Sequence, residues 1–402
     1  MIMKKSLLLL ATAFLVLSCG DDSVRNNVAD NEIPIGFVPS FMEKSTRANA
    51  GEMIVDRTNS INTFDMDEND FEVWGWKTNS QGTTKVFDNQ QVKYDEDDQT
   101  QASTNWIYTP LKYWDKTASY IFYAAAPFGA FDLNEDNSTD ANRKFTASNV
   151  PTVQVLQNKN AKTNELIDLA YTENGNGTNS TAIDYLIAAK VSVASGAANQ
   201  SNNAPRHDAN DKDVEFTFSH ILSKLTVRVL TTSDFAPAAK PDIKLTELTI
   251  SLNGMSQSYA QKTAGEATPG QNNADTWSDA ISTAVTETCF FANDNTLSSF
   301  GIDSLLLTAT PQSVASYFVS PTATGATPGT ATVKVLAKYT VFYADGIVEN
   351  CATEETTVTS LTSFIQNNSY TLDVKISPEA ILFDVNTVQG FTPVTAIEQE
   401  AH

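Results

Sequence analysis

From Val333 to Tyr343 the side chains of Val333, Val335, Ala337, Tyr339, Val341 and Tyr343 fall at every second position. That period puts them on one face of a pleated strand, because successive side chains point to opposite sides. A helix would scatter them around its axis. The same alternation returns at Val214, Phe216 and Phe218, at Leu225, Val227 and Val229, and at Leu248, Ile250 and Leu252. The last run ends in Asn253-Gly254, a hairpin turn signal. Helix-period segments are nearly absent, and Thr359 to Asn367 is the one candidate for a short helix. The core must therefore come from sheets.

The first half follows suit. Phe71-Glu72-Val73-Trp74-Gly75-Trp76 reads as a strand. Tyr120 to Pro127 is apolar on both faces, as a strand covered on two sides must be. Leu166 to Tyr171, Tyr185 to Val193, Leu305 to Thr308 and Tyr370 to Ile376 add further strands. Residues 196–213 carry almost nothing apolar, which marks a domain boundary. With 402 residues the chain is long enough for two domains. Short strands in two blocks predict an all-β protein of two β-sandwiches in series.

The N-terminus reads as an export signal. Lys4 and Lys5 precede an apolar run from Leu7 to Leu17, and Ser18 leads into Cys19. The run is shorter than the ~20 apolar residues that span a bilayer. A Cys just after the cut resembles a bacterial lipobox, which makes Cys19 the expected lipidation site. Gly20-Asp21-Asp22 resembles the signal that sends such lipoproteins to the outer face of the outer membrane.

Ile33, Ile35 and Phe37 then alternate, and Pro34 suits an edge strand. A small, polar stretch from Met42 to Gly51 follows and contains Arg47-Ala48, the kind of loop that proteases nick. At the other end Ile381, Phe383 and Val385 alternate, and Val388, Phe391 and Val394 continue a sparser apolar series. Asn386-Thr387 and Gln389-Gly390 break the alternation and leave the register of this segment open.

The net charge of −22 argues against nucleic acid as a partner, since that needs basic patches. Catalytic motifs are missing: the only His are His207, His220 and His402, no His/Cys cluster has metal spacing, and neither a Gly-x-Ser-x-Gly nor a phosphate loop occurs. The expectation is a protein that is no enzyme and takes no metal or cofactor. Asp132, Asn134 and Asp136 have the spacing of calcium ligands, but the Gly and the closing Glu of such a loop are absent, so they read as solvated. Trp74, Trp76, Trp106, Tyr113 and Trp114 read as core packing, with a sugar-stacking platform as the alternative. Cys289 and Cys351 pair as a disulfide or stay as two buried thiols.

Val73-Trp74-Gly75-Trp76, the stretch from Trp106 to Pro127, Val214 to Val229 and the ending Tyr370 to Pro378 resemble, in order and spacing, the fimbrillins, the type V pilins of Gram-negative gut and oral bacteria. The resemblance implies two tandem transthyretin-like β-sandwich domains with Greek-key topology. It divides the chain into a signal peptide (1–18), a lipidated segment with a removable first strand (19–47), an N-terminal sandwich (48–205), a C-terminal sandwich (206–380) and a C-terminal donor segment (381–402). It implies an Arg-specific surface protease cutting after Arg47, with Arg25 and Arg57 as rivals, and loss of the strand containing Ile33, Ile35 and Phe37. Ile381, Phe383, Val385, Val388, Phe391 and Val394 of a neighbouring subunit then fill the groove. Burying about five apolar side chains contributes on the order of 10 kcal/mol before entropy costs. The partners implied are other fimbrial subunits, the protease, and the outer membrane through lipid before cleavage. The location is the cell surface, then the fimbrium. Alternatives are a tip or anchor subunit, or a surface glycan-binding lipoprotein of a polysaccharide-uptake system.

Overall fold

A computed structural model describes residues 34–41, 70–94, 106–115, 117–134, 143–159, 166–168, 171–174, 177–180, 182–195, 213–231, 241–261, 276–291, 304–324, 329–378 and 381–389. Every regular element among them is a β-strand. The first sheet runs in the order β1 (Phe37–Phe41), β14 (Val214–His220), β12 (Leu186–Ala188), β5 (Ser119–Ala126), β2 (Phe71–Asn79), β3 (Gly82–Tyr94) and β4 (Trp106–Ile107), with β13 (Val191–Val193) also on β5. β5 puts Tyr120, Phe122 and Ala124 into one core cluster and Tyr123 and Ala125 into another, so both its faces are covered.

A second sheet runs β26 (Ile381–Gln389), β25 (Asn368–Ile376), β15 (Ser223–Thr231), β21 (Gln312–Val319), β8 (Val153–Lys159) and β9 (Leu166–Asp168). It packs on a third, ordered β19 (Val285–Phe291), β16 (Asp242–Asn253), β22 (Thr332–Phe342) and β23 (Val348–Ala352). There β20 (Leu305–Leu306) joins β16 and β24 (Thr356–Thr357) joins β22. The alternating residues of β22 and β16 enter the core between these two sheets. A four-stranded sheet holds β18 (Thr276–Ala280), β17 (Ser256–Ala260), β7 (Lys144–Ala147) and β6 (Asp132–Asn134). A hairpin pairs β10 (Tyr171–Asn174) with β11 (Gly177–Ser180).

The boundary expected between 205 and 206 does not partition these pairings. β14, from beyond it, completes the first sheet. β8, from before it, pairs with β21. β17 pairs back with β7. A core cluster containing Trp74, Tyr123, Leu156, Tyr259, Trp277 and Phe318 draws on both sides of the boundary. The sequence marked a stretch poor in apolar residues, but sheet pairing is decided by strands far from it.

The expected helix at Thr359–Asn367 is absent. Its backbone is engaged elsewhere: Ala331 N–H donates to Thr362 O at 2.8 Å and Thr322 N–H to Phe364 O at 3.0 Å, while Leu361 and Phe364 are buried. Cys289 and Cys351 are free thiols. They lie on the two outer strands of the β19–β16–β22–β23 sheet, three strand spacings or about 14 Å apart, beyond the reach of a disulfide. Asp132 and Asn134 belong to β6 and pair with β7, so they form a strand rather than a ligand loop. All five Trp are buried.

Candidate functional site

The first described segment lies at a seam. β1 runs parallel to β14, pairing Phe37 with Val214 through Phe41 with Phe218. Val214 N–H donates to Gly36 O at 2.8 Å. On the other side Ile35 N–H donates to Lys112 O at 2.9 Å, and the Tyr108 hydroxyl donates to Ile35 O at 2.7 Å. Pro34 bridges Tyr113. Residues 108–113 follow directly from β4, the opposite end of the same sheet. The strand therefore joins the two ends of a curled sheet and closes its aromatic core.

Ile35, Phe37 and Pro39 are buried. The Phe37 ring lies 5.2 Å from Phe87, 5.4 Å from Tyr108, 5.8 Å from Phe122 and 5.7 Å from Phe216, centroid to centroid. These contacts are edge-on, tilted or stacked, the arrangements aromatic quadrupoles favour. Burial holds the Tyr108 hydroxyl well above the usual tyrosine range, so it stays a donor to the Ile35 carbonyl.

Gly36 lies close against the Asp213 carboxylate, which a side chain at this position would have to push aside. A Cβ there would stand 1.9 Å from Asp213 Oδ1 and 2.7 Å from its Cγ. Pro39 is tolerated for a different reason. Alternate residues of a parallel strand face their partner; Gly36 faces β14, so Pro39 faces away, and its missing N–H costs no ladder bond.

The C-terminal segment is also an edge strand. β26 pairs antiparallel with β25, from Ile376 opposite Ile381 to Asn368 opposite Gln389. Phe383 is buried in the core, and Ile381 and Val385 pack against it half-buried. On the outer face Asp384 stands directly opposite Asp373. Arg228 holds Asp373 with two hydrogen bonds of 2.6 and 2.7 Å, and Lys375 pairs with Asp384. Val388 lies in β26 opposite Ser369.

Of the residues expected from sequence, Ile35 and Phe37 come together in the seam, while Ile381, Phe383, Val385 and Val388 sit together in β26. Ile33, Cys19, Arg47, Ala48, Phe391 and Val394 lie outside the described residues. Tyr108, Lys112 and Asp213 form walls of the seam that sequence reasoning missed. Nothing local marks Tyr108 or Lys112, because their role depends on the sheet closing. Asp213 carried a faint signal: it directly precedes an alternating strand. The aromatic residues of the sugar-stacking alternative are divided, with Trp74, Trp76, Trp106 and Trp114 buried and Tyr113 exposed. His220 Nδ1 lies 2.6 Å from Asp184 Oδ2. Among the described residues no group of three or more His, Cys, Asp or Glu is placed to hold a metal ion.

A family model described as fimbrillin-like matches residues 46–392. The fold is similar to a fimbrial protein from Bacteroides vulgatus, with 17% identity over 90% of this chain and 100% of that one and a TM-score of 0.50. More distant similarity extends to the C-terminally truncated tip fimbrial protein Mfa3 from Porphyromonas gingivalis, at 9% identity over 79% of this chain and 93% of that one, TM-score 0.28. A fimbrial assembly protein from Parabacteroides distasonis is likewise similar at 9% identity, over 80% of this chain and 88% of that one, TM-score 0.29. No curated protein matches the chain.

Proposed function

The chain belongs to the fimbrillin-like family, and from that premise we propose that it is a structural subunit of a cell-surface fimbria, polymerised by donor-strand exchange. In this reading the precursor is exported, lipidated on Cys19 and held at the outer membrane. An Arg-specific surface protease cuts after Arg47. The strand carrying Ile35 and Phe37 leaves, and the C-terminal segment of a neighbouring subunit takes its place. The two halves are read as tandem transthyretin-like β-sandwich domains with Greek-key topology, and the finished fimbria serves adhesion or biofilm formation.

The observation that carries the proposal is β1 itself. It is a short parallel edge strand, yet it fills the aromatic core of its sheet with Ile35, Phe37 and Pro39. A strand held by side-chain burial, one ladder to β14 and a few bonds to residues 108–113 can be replaced by another strand offering the same contacts. Arg47 lies six residues beyond the end of β1 at Phe41, so a cut there separates the strand from the rest of the chain without touching it. The uncut precursor is monomeric because its own strand occupies the seam.

Brief trypsin treatment should cut the purified precursor after Arg47 and yield ladders on gels run without boiling. Arg47→Ala should stay monomeric under the same treatment. Equal polymerisation of Arg47→Ala would overturn cleavage at this site as the trigger. The glycan-binding reading finds no platform in the Trp residues, all buried, and calorimetry against plant and host glycans should show no micromolar binding.

A further inference from the structure

The seam imposes a separate condition at each position of its occupant. It wants an aromatic ring where Phe37 sits among four others. One residue earlier it wants no Cβ, because Asp213 Oδ1 lies 1.9 Å from where one would be. Two residues after the ring it accepts a proline, since that N–H faces away from β14. These conditions spell Gly-Phe-x-Pro, and Gly36-Phe37-Val38-Pro39 meets them.

The same four-residue pattern recurs in this chain at Gly390-Phe391-Thr392-Pro393. It begins one residue past the end of β26 at Gln389. We infer that residues 390–393 of a second copy occupy the seam parallel to β14, in register with Gly36 to Pro39, so that Phe391 takes the ring site of Phe37. This rests on the donor-strand reading above and fixes its register, its direction and the residue that seats it.

The rival register places Ile381-Leu382-Phe383-Asp384-Val385 over Ile35 to Pro39. It matches the inward apolar positions but fails the other conditions. Leu382 would bring a side chain into the Asp213 carboxylate at the Gly36 position. Asp384 would stand at the Val38 position, directly opposite Glu215, where like charges repel. Phe383 would also have to leave the core in which it is buried. With Gly390 to Pro393 as donor, Gly stays against Asp213 and Thr392 faces Glu215. β26 keeps its place on β25, so the donor extends beyond it without unpairing it. The mismatch is Gln389, which falls at the site of buried Ile35. The Asp213 carboxylate thereby favours a strand with glycine before the ring, because any other residue there has to displace it.

Cysteine pairs read the register directly. In a chain carrying Cys19→Ser and Cys351→Ser, Glu215→Cys is placed on one subunit and Thr392→Cys or Asp384→Cys on another, and the mixture is cut with trypsin and mildly oxidised. Val38 pairs with Glu215 and Ser40 with Thr217 in β1. Cross-links between 215 and 392, and between Thr217→Cys and Val394→Cys, are therefore expected, with none between 215 and 384. Gly390→Ala should weaken ladder formation and Asp213→Gly should restore it in that background, a rescue that a general folding defect would not give. A 215–384 cross-link overturns the register. Ladders from wild type with neither cross-link overturn it too, while leaving donor-strand exchange intact. Cross-links found only within monomers overturn the second copy as occupant. Absence of ladders from cut wild type overturns donor-strand exchange, and the register with it.

Discussion

Phe37 is fully buried and its ring meets four others, so truncating it leaves a cavity at the meeting point of two sheet ends. Phe37→Ala should lower the stability of the uncut precursor by about 3–5 kcal/mol, read from urea midpoints. A loss under about 1 kcal/mol would mean that β1 is an ornament on a core that closes without it. Glu72 behaves differently. It is buried in β2, and burial pushes its carboxyl up to about 7, against the N–H groups of Gly129 and Phe131 that pull it down. The folded state therefore binds this proton more tightly than the unfolded chain does. The resulting stability is fully present below about pH 4.5 and is lost as pH rises through about 7. Relative to Glu72→Gln, wild type should lose about 3 kcal/mol between pH 4.5 and 8. Parallel pH profiles for the two would contradict this. Sequence marked Phe37 by alternation and gave no sign of Glu72, since a carboxylate inside a strand reads as solvent-facing until both faces of that strand are covered. The repeated Gly-Phe-x-Pro stands in the letters of the chain, but its meaning comes from Asp213, which only the fold brings against Gly36.

At the scale of elements, β1 and β26 are both edge strands and are held in opposite ways. β1 runs parallel, with rings beneath it and a few backbone bonds on each side. β26 runs antiparallel over nine residues and closes a hairpin with β25. Its opposed Asp384 and Asp373 would repel, but Lys375 and Arg228 neutralise them in a row across the sheet. Both strands were legible, because period two survives in each. Their partners were not: β1 finds β14 177 residues on, from Phe37 to Val214, and no local pattern encodes that. The lost helix at Thr359–Asn367 teaches the same lesson, since long-range backbone bonds to Ala331 and Thr322 outcompete a weak local preference. Deleting residues 381–402 should leave a secreted, cleavable chain that cannot extend a fibre. It should also cost about 2–5 kcal/mol, because Phe383 leaves the second core. A deletion mutant that still forms ladders would show that the donor lies elsewhere.

For the whole molecule, strands exchanged across the expected boundary tie the halves together. β8 lies in the sheet of β21, β14 in the sheet of β5, and β17 beside β7, with a shared aromatic cluster between. The uncut chain should therefore unfold in one calorimetric transition, and two separated transitions would contradict that coupling. Period-two alternation revealed the class and the two blocks of strands, but pairing between distant segments left no mark in it. In the donor-strand proposal, β1 is the part that the assembled protein loses. The intact mass of subunits released from purified fibres tests this most directly. The account predicts a polypeptide that starts at Ala48 and carries neither lipid nor residues 34–41. Fibre subunits that keep Ile35 and Phe37 covalently attached would contradict it.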